Sequence, residues 1–198
     1  MTRIVRCAAT GLAILLPATA HAHLVSSGLG PFYDGVSHLG LAAEDLLPAL
    51  ALSLLAGQRG ARTGRATLFA LPAAWLVGGA FGLVLPTARP ASALTALSFL
   101  VPGGLVAAEA RLPSGWVVGL AVGLGLSHGY LNGSAMAEAK LGALGLVGVV
   151  AALFVAVALA AAMVVPMRAA WARVAVRVAG SWIVATGLLL LGWSLRGG

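Results

Sequence analysis

The chain has 198 residues, of which 61% are hydrophobic and only 9% are Asp, Glu, Lys or Arg, and its mean hydropathy is +1.03. Soluble domains carry roughly 25% charged residues, so twelve basic and five acidic side chains cannot cover a water-facing surface of this size. A cytosolic enzyme, a disordered chain and a disulfide scaffold are excluded, and the net charge of +7 is a topology signal before it is a nucleic-acid one.

In chain order the first expected element is an export signal over residues 1–22. Arg3 and Arg6 form a positive start, residues 8–18 are apolar but too few to span a bilayer, and Ala20-His21-Ala22 is a small-x-small cleavage site. Cleavage after Ala22 leaves residues 23–198 as a transmembrane domain that begins at His23. Such a signal on a helical membrane protein implies a bacterial inner membrane with the mature N-terminus in the periplasm. The single cysteine, Cys7, falls in the removed segment, so no disulfide, CxxC zinc site or thiol nucleophile follows.

Six apolar spans come next, at about 37–56, 67–86, 92–109, 115–136, 142–166 and 175–195. Each approaches the ~20 residues that cross a hydrocarbon core. The expected fold class is therefore an all-α membrane protein of six transmembrane helices. With the N-terminus outside, the inner loops hold Arg59, Arg62, Arg65, Arg111, Arg168, Arg173 and Arg177, whereas the outer side holds Arg89, Lys140 and Arg196. Seven basic residues against three obey the positive-inside rule. Trp116 and Trp193 fall near span ends, where indoles favour the interface. The runs Gly78-Gly79-x-x-Gly82 and Gly119-x3-Gly123 allow close helix contact.

Ionisable groups inside a membrane are costly and point to function. The first span carries His38, Glu44 and Asp45, and the fourth carries His128 and Asn132. The first runs inward and the fourth outward, so Glu44, Asp45, His128 and Asn132 are expected at one level. At ~1.5 Å per residue that level is ~6–12 Å below the outer surface. His38 and Asp45 are seven apart and share a helix face, Glu44 points about 100° away from Asp45, and His128 and Asn132 stack at i and i+4. Pro48 has no N–H, which frees the carbonyl of Glu44. The set offers imidazole and oxygen donors to an ion. Asp34 and His23, the latter with its own α-amine, are candidate ligands nearer the entrance, and Glu109 is expected to be interfacial beside Arg111.

Residues 32–50, which include His38, Glu44-Asp45-Leu46-Leu47 and Pro48, resemble the first-helix motif of the HupE/UreJ family, membrane proteins associated with nickel hydrogenases and ureases. His38 matches the first His of that motif, Glu44 stands in place of the Asp, and Asp45 in place of the second His. Arg111-Leu112-Pro113 and Ser127-His128-Gly129-Tyr130-Leu131-Asn132-Gly133 resemble the family's arginine-leucine-proline loop and its His-Gly-Tyr-Ala-His-Gly signature. There Asn132 replaces the second His, and Ala135 occupies the place of a following Glu. The resemblance implies uptake of nickel or cobalt. Two imidazoles are exchanged for oxygen-bearing side chains, which suit harder ions such as magnesium or manganese.

The function expected is thus secondary transport of a divalent transition-metal ion into the cytoplasm, with His38, Glu44, Asp45, His128 and Asn132 as metal ligands. No GxxxxGK[ST] phosphate loop occurs, so the membrane potential or a proton would drive it. No permanently bound cofactor and no enzymatic reaction are expected. The expected partners are the lipid bilayer and the metal ion, with no nucleic acid, and a homo-oligomer is left open. Two alternatives stand beside transport: a b-type haem held by His38 and His128, and a hydrogenase or urease accessory protein with no flux. A Ser127–His128 hydrolase is disfavoured because neighbours on a helix point ~100° apart.

Overall fold

The computed structural model describes residues 27–87 and 92–196. The expected signal segment, His23 and Arg89 lie outside the described residues. Within them every regular element is helical: α1 Pro31–Leu41, α2 Ala43–Gln58, α3 Ala61–Val84, α4 Ser92–Ala107, α5 Ser114–Glu138, α6 Gly142–Val164 and α7 Ala170–Arg196.

Among the described residues α3, α6 and α7 are long and apolar enough to cross a membrane, and α1 with α2 makes a fourth if the pair is one broken span. Helix α4 is shorter. Helix α5 has the length, at 25 residues, but its Ser127, His128, Asn132 and many glycines dilute its apolarity. Large apolar side chains point outward throughout; Trp182 and Trp193, for example, are 71% and 82% exposed. An apolar exterior of this extent is a surface for lipid. Trp116 is exposed as well.

The span expected at 37–56 is not one continuous helix. The chain bends by 72° between α1 and α2. At the bend Ala42 leaves helical geometry (φ −82°, ψ 83°), its N–H closes α1 on the His38 carbonyl, and its own carbonyl accepts from Asp45 and Leu46. Pro48, which removes a ladder bond, lies inside α2 and does not mark the break. Between α2 and α3 only Arg59 and Gly60 intervene. Gly60 sits at φ +97°, a conformation that favours glycine.

Helices α3 and α5 make the most extensive contact in the bundle, and α4 pairs with α7. Glycines set the α3–α5 distance. A Cβ on Gly129 would lie 2.2 Å from the Trp75 carbonyl oxygen, and one on Gly133 would lie 2.0 Å from that of Gly79. Gly78 and Gly82 press equally hard on α5, as expected. Gly119 and Gly123 do not make a helix contact: nothing lies within 4 Å of a Cβ placed on either. They line an open apolar groove of about 800 Å³. The packing line of α5 is Gly125, Gly129 and Gly133, on a different face.

The loops assigned to the inside gather at one end. Arg59 Nε donates to the Leu112 carbonyl at 3.1 Å, and Arg177 Nε to that of Ala107 at 2.9 Å. Gln58, Glu109 and Arg173 share a cavity of about 110 Å³ at that end. At the other end Tyr130 Oη donates to the Leu85 carbonyl at 2.7 Å, and Thr87 N–H to Ser134 Oγ.

Candidate metal-ion site

The bend at Ala42 places Asp45 in the first turn of α2, facing inward and only 5% exposed. Opposite it, His128 and Asn132 lie one turn apart on α5, 1% and 3% exposed. They meet on the Asp45 carboxylate. His128 Nδ1 is 2.8 Å from Asp45 Oδ1, and Asn132 Nδ2 donates to Asp45 Oδ2 at 2.8 Å. The amide nitrogen also donates to the His128 carbonyl at 3.1 Å. A carboxylate only accepts, so Nδ1–H is the imidazole donor, and in the neutral ring the lone pair then lies on Nε2. His128 Nε2 and Asn132 Oδ1 are buried and have no partner. Such atoms are rare in folded proteins because each forfeits its hydration.

The matched depth expected for the two helices is realised as direct contact between them. His38 joins from the end of α1: its Nε2 stands 3.8 Å from Asp45 Oδ2, at ion-pair distance, with its side chain 18% exposed. The bend brings these residues together, since seven residues of straight helix would separate them by ~10 Å. Glu44 is not brought in. It is exposed, one residue and ~100° round the helix from Asp45. Asp34 is buried and occupied locally, accepting from the backbone and hydroxyl of Ser27 (Oγ at 2.6 Å). Glu109 lies in the turn two residues beyond α4, half-buried beside the cavity at the opposite end of the bundle.

The side chains that do meet are not a ready-made coordination sphere. Among the described residues no group of three or more His, Cys, Asp or Glu is arranged to hold a metal ion. Asn132 is an amide, His38 stands back, and both Asp45 oxygens are engaged. An ion would bind by drawing on the free His128 Nε2 and Asn132 Oδ1 while Asp45 supplies negative charge beside them. The two imidazoles flank one carboxylate, at 3.8 and 2.8 Å, so a carboxylate lies between them where a haem plane would have to fit. Ser127 Oγ donates back to its own helix, to Gly123 and Leu124 carbonyls, and forms no pair with His128.

Trp75 is the residue that sequence reasoning missed. It is fully buried on α3, and its ring lies against His128 with centroids 5.6 Å apart and planes at 35°. Its Nε1–H has no partner. Its sequence signal is a tryptophan in mid-span, where the indole N–H has no interfacial water to bond.

A family model described as HupE / UreJ protein matches residues 11–190. The chain belongs to the HupE / UreJ family. Comparison with curated proteins and with solved structures gives no match. Within this family member, the His-Gly-Tyr signature residues His128 and Asn132 lie on α5, against the Asp45 of the first motif.

Proposed function

We propose that this HupE / UreJ family protein is a secondary permease that moves a divalent transition-metal ion, nickel or cobalt, from the periplasm to the cytoplasm. The observation that carries the reading is the buried meeting of Asp45, His128 and Asn132, with one nitrogen and one oxygen lone pair left over. A carboxylate with free imidazole and amide acceptors suits a cation and little else. Glu44, which is exposed, and His38, which is partly exposed, would meet the ion first. A cleaved signal over residues 1–22, six spans, an inner-membrane location and a periplasmic N-terminus belong to the same proposal. So does the absence of a resident cofactor and of a catalytic step.

The membrane potential supplies ~2.3 kcal/mol per charge per 100 mV. A dication moving inward therefore gains about twice that without nucleotide. The test is accumulation of radioactive nickel or cobalt in cells carrying the wild type, His128→Ala or Asp45→Ala at matched levels in the membrane. Both substitutions are expected to abolish accumulation. Equal accumulation in all three would overturn the reading and favour an accessory protein with no flux.

A further inference from the structure

We propose that the ion leaves the Asp45–His128–Asn132 cluster along the buried face of α3, with Thr67, about 9 Å from the inner end of that helix, as an intermediate station and Gln58 as the inner one. The inference rests on the transport reading and extends it by naming the route.

Five buried side-chain nitrogen or oxygen atoms have no hydrogen-bond partner among the described residues: four that can face a cation, Asn132 Oδ1, His128 Nε2, Thr67 Oγ1 and Gln58 Oε1, and one donor, Trp75 Nε1–H, that can serve only the water around it. They fall on α5, α3 and α2 only, three helices that touch one another. They are also graded in depth. Asn132 and His128 are at the outer-side cluster, and Trp75 is level with His128, ring against ring. Thr67 is two turns further in on α3, ~12 Å along the axis. Gln58 ends α2, ~20 Å inward of Asp45. There it joins the cavity of about 110 Å³ that Glu109 and Arg173 also line.

The buried face of α3 supports this order. Leu71 lies between Trp75 and Thr67, and its carbonyl meets Gly125 of α5. Gly64, just inward of Thr67, faces Ala161 of α6. Thr67 is therefore inside the bundle, not against lipid, and is completely buried. One turn further in, Thr63 is bonded to Ser114 at 2.7 Å. A serine or threonine hydroxyl inside a helix can bond back to a carbonyl one turn earlier, as Ser53 does here at 2.6 Å. Thr67 does not, so its oxygen is free for a passing ion or for the water that accompanies one. The gradient in chemistry also suits release. Imidazole and carboxylate lie at the outer cluster, whereas neutral oxygens, which hold a borderline ion less tightly, lie on the way in.

The test uses the full chain with Cys7→Ser, which removes the only natural cysteine. Thr67→Val keeps the shape and removes the oxygen. It is expected to lower the rate of nickel uptake about threefold to tenfold, the equivalent of one hydrogen bond, with equilibrium nickel binding at the cluster unchanged. A purely structural Thr67 predicts the opposite, because losing an unsatisfied buried hydroxyl is neutral or stabilising. Thr67→Cys is expected to react with a small, membrane-impermeant cationic methanethiosulfonate reagent and to be protected by nickel. An unreactive Thr67→Cys together with full uptake by Thr67→Val overturns the route while leaving transport intact. No uptake by the unsubstituted protein removes the transport reading, and the route with it.

Discussion

Exchanging the residues at 45 and 132 probes the network that joins α2 to α5. Asp45 accepts two hydrogen bonds of 2.8 Å, from His128 Nδ1 and from Asn132 Nδ2. Asp45→Asn keeps the shape but supplies an NH2 group where one of those donors needs an acceptor. Whichever way the amide turns, one charge-assisted bond of ~1.5–3 kcal/mol is lost and a donor faces a donor. The single substitution should therefore destabilise by about 2–4 kcal/mol. Asn132→Asp sets two carboxyl groups against each other at the same spacing and should cost at least as much. In the double variant the amide at position 45 can accept from His128 and donate to the carboxylate at 132. What is then lost is the 3.1 Å bond from position 132 to the His128 carbonyl and the 3.8 Å approach of His38 to a carboxylate at 45. The double-mutant cycle should show at least about 1 kcal/mol of favourable coupling, well above the ~0.5 kcal/mol expected of independent sites. Reversible unfolding of the purified protein in mixed detergent micelles measures all four corners. Additive losses would mean that the two side chains do not share the carboxylate, and the site as described would fall.

Other consequences are more local. Gly129→Leu should prevent α3 and α5 from closing and abolish stable insertion, whereas Gly119→Leu, on the open groove, should be tolerated; yield and melting temperature in detergent separate the two. Reporter fusions should place residues 57–66 in the cytoplasm and 137–141 in the periplasm, and the reverse sidedness would remove the inward direction of transport. Restoring imidazoles with Asp45→His and Asn132→His should raise selectivity for nickel over manganese or magnesium, because borderline ions gain most from nitrogen ligands. Competition uptake measures this, and equal exclusion of the harder ions by the wild type would show that ligand softness does not set the choice.

The site was legible in the sequence where membrane physics is harshest. Asp45, His128 and Asn132 stand out because polar groups are scarce in apolar spans, and counting residues from the expected surface put them at one depth. The neighbouring carboxylates were harder: nothing in the local sequence says that Asp45 turns inward and Glu44 outward, because that depends on the bend at Ala42. The apolar pattern runs through the bend without a break, and the proline that suggested irregular backbone lies six residues further on. Glycine spacing was equally ambiguous. The lines through Gly119 and through Gly129 look alike in sequence, and only the position of α3 decides which one packs. Thr67 was invisible, and Trp75 was marked only by its mid-span position, for a related reason. Each is an ordinary residue of a buried helix until the structure shows that its polar atom has no partner.

The most direct measurement of the central claim is flux through purified protein. The wild type and His128→Ala would each be reconstituted into liposomes, with an inside-negative potential imposed by potassium and valinomycin and radioactive nickel outside. Wild-type vesicles should accumulate nickel, collapsing the potential should slow this, and His128→Ala vesicles should match protein-free controls. Accumulation by His128→Ala at the wild-type rate, or none by either protein, would contradict the claim.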